Sequence, residues 1–204
     1  GINNAGTLAL GNVTLTGSLV ANTNLPNIAS FNVTGANASI DGTGDIVEFI
    51  RKGIVWDDWL ANFKQGLELP SGNEKMRFDL TITGPGMFSL KDLFDLSLEL
   101  DVSMETKIMF AFHPDIVMSP FAWPRHILDR HIDSLLQYME PRATRRQMTL
   151  VNTLHEMQNR PTFAEQWPDI HEQQFKNGKV YQDRLDQIRQ EQYRLEDINK
   201  LDTE

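Results

Sequence analysis

The feature that most constrains this chain is a break in composition near residue 50. No Lys or Arg precedes Arg51, and all nineteen basic residues lie from there on. Residues 1–50 are built instead from Gly, Asn, Thr, Ala and single aliphatics, and they repeat. Leu8-Ala9-Leu10-Gly11-Asn12-Val13-Thr14 aligns with Ile28-Ala29-Ser30-Phe31-Asn32-Val33-Thr34 at an offset of 20. Such a segment makes short strands and turns but carries too few bulky apolar groups to bury a core alone. Two repeat units also fall short of the three or more that a free-standing solenoid needs. The segment therefore reads as an extended β-rich assembly arm that finds its burial against other subunits.

The 204 residues suit one ordinary domain with an appendage. A net charge of −9 argues against nucleic acid as a partner, because phosphate backbones require a basic face. The absence of cysteine excludes disulfides, thiolate catalysis and thiolate zinc sites. No apolar run approaches the length of a membrane span. The chain begins at Gly1 without the basic and apolar regions of a secretion signal, which reads as a processed or partial terminus.

Periodicity divides the remainder into residues 51–123 and 124–204. Trp56–Gly66 reads as a short helix with acids at its start and Lys64 near its end. Met76, Phe78, Leu80 and Ile82 alternate with polar residues. From Leu96 to Phe112 the apolar residues again fall on even positions, which reads as a long strand or hairpin. Sheets with one wet face are antiparallel more often than not, so 51–123 is expected to be an antiparallel β domain with one short helix. From Pro124 the chain turns helical. Leu128, Ile132, Leu135 and Met139 form one stripe; Leu150, Val151, Leu154 and Met157 form a second. Thr162-Phe163-Ala164-Glu165 is a capping-box pattern. Asn177-Gly178 reads as a turn before a last helix. There Tyr181, Leu185, Ile188, Gln192, Leu195 and Asn199 follow the 4,3 spacing of a coiled-coil seam. The same spacing suits a helix docked on its own domain. The overall expectation is α+β: a β arm, a central antiparallel sheet and C-terminal helices with a short coiled-coil end.

Chemical signatures are sparse. His126, Asp129 and Asp133 share a helical face, but Arg130 among them opposes a cation, and the set reads as a solvated face. His113-Pro114-Asp115 copies the tripeptide of J-domain co-chaperones without the basic helix that precedes it there, and reads as a strand terminator. No G-x-S-x-G, phosphate-binding loop or zinc-protease motif occurs. Asn12, Asn32 and Asn37 begin formal N-glycosylation triplets, which an Asn/Thr-rich repeat generates by itself. Trp56, Trp59, Trp123 and Trp167 read mainly as packing residues. No cofactor or metal site emerges, and the chain reads as non-enzymatic.

Gly11-Asn12-Val13-Thr14-Leu15-Thr16-Gly17-Ser18-Leu19 and Phe31-Asn32-Val33-Thr34-Gly35-Ala36-Asn37-Ala38-Ser39-Ile40 resemble the repetitive segments of bacteriophage tail fibres and related trimeric virion proteins. The resemblance covers about a quarter of the chain. It implies a structural or adaptor subunit of a virion tail, baseplate or fibre, a homo-oligomer with a trimer favoured, contacting other structural proteins. Val13, Leu15, Leu19, Phe31 and Val33, with the Tyr181-to-Asn199 seam, are then the assembly interface, because exposed strand edges recruit partners. The alternative is an extracellular carbohydrate-binding or adhesion module that uses tryptophans as stacking platforms.

Overall fold

Alternation in Met76–Ile82 places Phe78, Leu80 and Ile82 on one side and Arg77, Asp79 and Thr81 on the other. In the computed structural model, which describes residues 36–68 and 76–189, this segment is the central strand β2. β1 (Ala36–Ile40) and β3 (Ser103–Ile108) flank it, both parallel to it, in the order β1-β2-β3. The register sets Ile40 beside Leu80 and Phe78 beside Met104, so every apolar side chain lands on one face. Ile40, Phe78, Leu80 and Ile82 are fully buried there, each contributing about 1.5–3 kcal/mol.

The connections are helical. α1 (Gly44–Ile50) and α2 (Trp56–Leu67) link β1 to β2. A 3-10 turn (Pro85–Ser89) and α3 (Leu90–Glu99) link β2 to β3. Both crossovers step in the same direction along the sheet. Right-handed crossovers of that kind put all connecting helices on one face. Short 3-10 turns at Ile116–Met118 and Pro120–Ala122 then lead into α4 (Arg125–Met139), α5 (Met148–Gln158), α6 (Phe163–Gln166) and α7 (Pro168–Arg189). The opposite face of the sheet is polar. Asp79 accepts a hydrogen bond from Ser39 Oγ at 3.2 Å and pairs with Lys107 at 2.9 Å. Arg77 lies 3.4 Å from Glu105.

This architecture corrects the expected central antiparallel sheet. The described residues are 63% helical and 12% strand, and the three strands are parallel. The error lies in the even-numbered apolar run. Leu90, Leu93, Phe94 and Ser97 are buried at i, i+3, i+4 and i+7, so the first part of that run belongs to a helix. α3 ends in a Schellman motif: Val102 N–H donates to the Ser97 carbonyl at 3.0 Å and Asp101 N–H to the Leu98 carbonyl at 3.3 Å. Asp101 occupies the left-handed position at φ 51°. Leu98, Leu100 and Val102 thus alternate across a helix end, and only Ser103–Ile108 is a strand.

The helical region follows its sequence pattern closely. Leu128, Ile132, Leu135 and Met139 of α4 pack in the core with Leu150, Val151, Leu154 and Met157 of α5. The Thr162–Glu165 capping box forms: Glu165 N–H donates to Thr162 Oγ1, and Thr162 N–H to the Glu165 carboxylate at 2.7 Å. Arg125 ties three elements together, donating to Asp129, to Glu165 and to the Arg160 carbonyl. The expected turn at Asn177-Gly178 is instead continuous α7. The last part of the Gly/Asn/Thr-rich segment contributes β1 and α1 to this body. Val13, Leu15, Leu19, Phe31 and Val33 lie outside the described residues, as do Gln192, Leu195 and Asn199.

Candidate functional site

Parallel strands end together, so the residues that follow them gather at one edge. Asp41 follows β1, Thr81 and Thr83 mark the end of β2, and Met109 follows β3. These residues line a cleft of about 450 Å³. The end of α1 adds Phe49, Ile50 and Arg51, the 3-10 segment adds Asp115 and Met118, and α7 adds Tyr181, Gln182 and Leu185.

Two close approaches shape this edge. A Cβ at Gly86 would stand 2.3 Å from the Asp41 carbonyl oxygen, so only glycine lets the turn after β2 pass this close to the end of β1. Gly86 N–H also donates to Thr83 Oγ1 at 2.9 Å. At Gly178 of α7 a Cβ would stand 2.5 Å from Ile116 Cγ2. That contact seats α7 against the 3-10 segment and aims Tyr181, Gln182 and Leu185 at the cleft.

The charges of the cleft fall into two kinds. Asp41 is only 4% exposed and is satisfied by Arg51, which donates to it through both Nε and Nη2. A buried carboxylate needs such a partner. The Asp41 hydrogen bond raises the Arg51 pKa further, so the guanidinium stays charged. Asp115 differs. It precedes the 3-10 turn without a side-chain cap bond, and no described residue pairs with its carboxylate. The Thr81 and Tyr181 hydroxyls likewise have no hydrogen-bond partner among the described residues. Gln182 is buried, and its Nε2 donates to Asp186 at 2.8 Å. Phe49, Ile50, Met109, Met118 and Leu185 supply apolar wall. The arrangement can hold a molecule with a nonpolar body and a few polar groups.

The residues singled out in the sequence are scattered. Tyr181 and Leu185 of the expected seam line the cleft, while Ile188 is 69% exposed. Trp123 is buried against Phe88 and His131. Trp56 and Trp59 stack at 5.5 Å, and Trp59 continues the stack onto Phe63. Trp167 joins Phe110, Phe112 and Phe163. Asp129 pairs with Arg125 and Asp133 accepts from Gln158. No group of three or more potential ligands could hold a metal among the described residues. His131 donates its Nε2–H to the Met87 carbonyl, 3.1 Å away, and burial lowers its pKa; it is a packing residue.

Sequence reasoning gave no site role to Asp41, Arg51, Thr81, Thr83 or Gln182, and read Asp115 only as part of a strand-terminating tripeptide. Asp41-Gly42-Thr43-Gly44 directly after an apolar strand was the available signal, and it gains meaning only once the strands are known to be parallel. Comparison with protein-family models, curated proteins and solved structures finds no match. No helix among the described residues is long and apolar enough to cross a membrane.

Proposed function

We propose that this chain binds a small molecule in the cleft at the carboxyl ends of its parallel strands. The observation that supports this reading is the convergence, around a 450 Å³ space, of buried Asp41 with the Asp115 carboxylate and two hydroxyls that have no partner among the described residues. Ligands of open α/β sheets bind outside the carboxyl ends of the strands, the edge at which this cleft lies; both connections here step the same way, so α7, and not a reversal of strand order, supplies the facing wall. The volume falls in the usual range for small-molecule sites. A thermal-shift screen with a broad metabolite panel tests the reading, with each stabilising compound repeated on Leu185→Trp, which fills the cleft. Compounds that raise Tm in the parent but not in Leu185→Trp support it. A panel with no such compound counts against it.

A second reading keeps the assembly role drawn from the fibre resemblance: a non-enzymatic structural subunit of a virion, homo-oligomeric and trimeric. Its support is the outer surface of α7, where Val180 is 68% and Ile188 69% exposed. Native mass spectrometry of the full chain separates the two readings, since the second requires an oligomer that Ile188→Glu weakens.

A further inference from the structure

We infer that the cleft takes a small organic cation, with a primary ammonium group seated against Asp115 and a nonpolar body between Met109, Met118 and Leu185. The inference rests on the reading of the cleft as a ligand site and goes beyond it by naming the ligand chemistry. The charge balance of the lining carries the argument. Three formally charged side chains line the cleft: Asp41, Arg51 and Asp115. Arg51 presents both Nε and Nη2 to Asp41, so these two charges neutralise one another and the guanidinium fork is occupied. What remains is the Asp115 carboxylate, without a partner among the described residues.

That remainder discriminates among ligand classes. An anion would meet Asp115 with no free cation among the described lining residues to offset it. A neutral polyol could bond to Thr81 and Tyr181, yet it would strip water from Asp115 without supplying a counter-charge, which costs binding. An ammonium group satisfies the carboxylate through charge-assisted hydrogen bonds. The Tyr181 hydroxyl remains available for a polar group at the far end. Asp186, which accepts from the lining residue Gln182 at 2.8 Å, adds to the negative bias. The chain as a whole is acidic at −9, which favours the approach of cations from solution.

Tyramine is the probe, because it joins an ammonium group to an aromatic body that ends in a hydroxyl. Para-ethylphenol is its neutral counterpart and phloretate its anionic one. Calorimetric titration of the full chain with each should show tyramine binding at least about tenfold tighter than the other two, the size of a single charge-assisted contact. Asp115→Asn should bring tyramine to the level of para-ethylphenol. That variant removes no hydrogen bond within the described residues, and an unchanged Tm verifies its folding. Equal binding of all three compounds, each lost in Leu185→Trp, overturns the cation inference and leaves the cleft reading standing. A tyramine preference that survives Asp115→Asn, or no binding by any of the three, also overturns it. Silence of both these probes and the metabolite panel overturns the cleft reading as well.

Discussion

Replacing Gly178 with alanine sets two effects of opposite sign against each other, and the structure says which prevails. In the interior of an exposed helix, glycine to alanine gains about 1 kcal/mol, because the unfolded chain loses backbone freedom. Gly178 lies on the stripe of α7 that faces the body, between Phe175 and Gln182. A Cβ there would stand 2.5 Å from Ile116 Cγ2, and 3.3 Å from both the Pro114 carbonyl oxygen and Val117 Cγ1. Carbon atoms in contact prefer about 3.5–4 Å, so the overlap with Ile116 is about 1 Å. Ile116 is fully buried and cannot swing away. Overpacking of this kind costs about 1–3 kcal/mol. The net expectation is a loss of about 1 kcal/mol, against the gain that helix propensity alone would give.

Urea denaturation of the parent, Gly178→Ala, Ile116→Ala and the double variant measures this. Ile116→Ala alone should cost about 2–5 kcal/mol through the lost burial and the cavity. It also removes the methyl that the new Cβ strikes. In that background Gly178→Ala should therefore stabilise, giving a coupling of at least about 1 kcal/mol. Gly178→Ala in the parent should also weaken any cleft ligand, because Tyr181 and Gln182 move with the displaced helix. A parent-background gain near 1 kcal/mol with no coupling to Ile116 would sink the argument that α7 is seated on the 3-10 segment through Gly178.

Three further outcomes follow from named contacts. Asp101 holds the left-handed position that ends α3, so Asp101→Gly should be neutral to mildly stabilising while Asp101→Val costs about 1–2 kcal/mol; equal Tm values for the two variants would contradict the helix end there. Gly86→Ala places a Cβ against the Asp41 carbonyl, and backbone cannot yield as a side chain does. A Tm drop of several degrees, matching about 2 kcal/mol, is expected, and an unchanged Tm would refute the close approach. The Arg125 hydrogen bond, aided by the Thr162 backbone, lowers the Glu165 pKa from 4.5 to about 2. A depressed carboxylate contributes stability above its unfolded value and loses it as pH falls toward the folded value; solvent exposure limits the amount to about 1 kcal/mol. The Tm gap between parent and Glu165→Gln should hold near neutral pH and close between about pH 5 and pH 2; a gap that persists undiminished at the acid end counts against the Arg125 clasp.

The parts of this fold that were legible in the sequence are those whose local pattern and final environment agree. α4 announces itself because Leu128, Ile132, Leu135 and Met139 share one face and that face meets the core. The Thr162–Glu165 box needs only four residues to specify itself. β2 alternates and is half-buried, as alternation implies. The run from Leu96 to Phe112 misleads because two structures of different period meet inside it. Leu96 and Leu98 sit on a helix, Val102 and Met104 on the chain beyond its cap, and the joint at Asp101 happens to preserve even numbering. Gly178 misleads for another reason. Its turn-like chemistry is local, whereas the demand for glycine there is tertiary, imposed by Ile116 some sixty residues away. The cleft was illegible in the same sense. Asp41, Thr81 and Asp115 are unremarkable polar residues until parallel pairing brings their strand ends together.

Topology therefore settles more here than any motif does. Had the strands been antiparallel, the residues following β1 and β2 would stand at opposite ends of the sheet, and Asp41 and Thr83 could not line one space. Parallel pairing with same-direction crossovers does two things at once: it sends the helices to the apolar face, and it leaves the other face polar up to the edge where Thr81 stands. The charges along that face are paired, Asp79 with Lys107 and Arg77 with Glu105. The carboxylate of Asp115, beside the carboxyl edge, has no partner among the described residues. A fold that satisfies its charges along the strands and leaves one unmatched where the loops gather has concentrated its capacity for selective binding at that edge, and Asp115 is where a ligand's charge would be read.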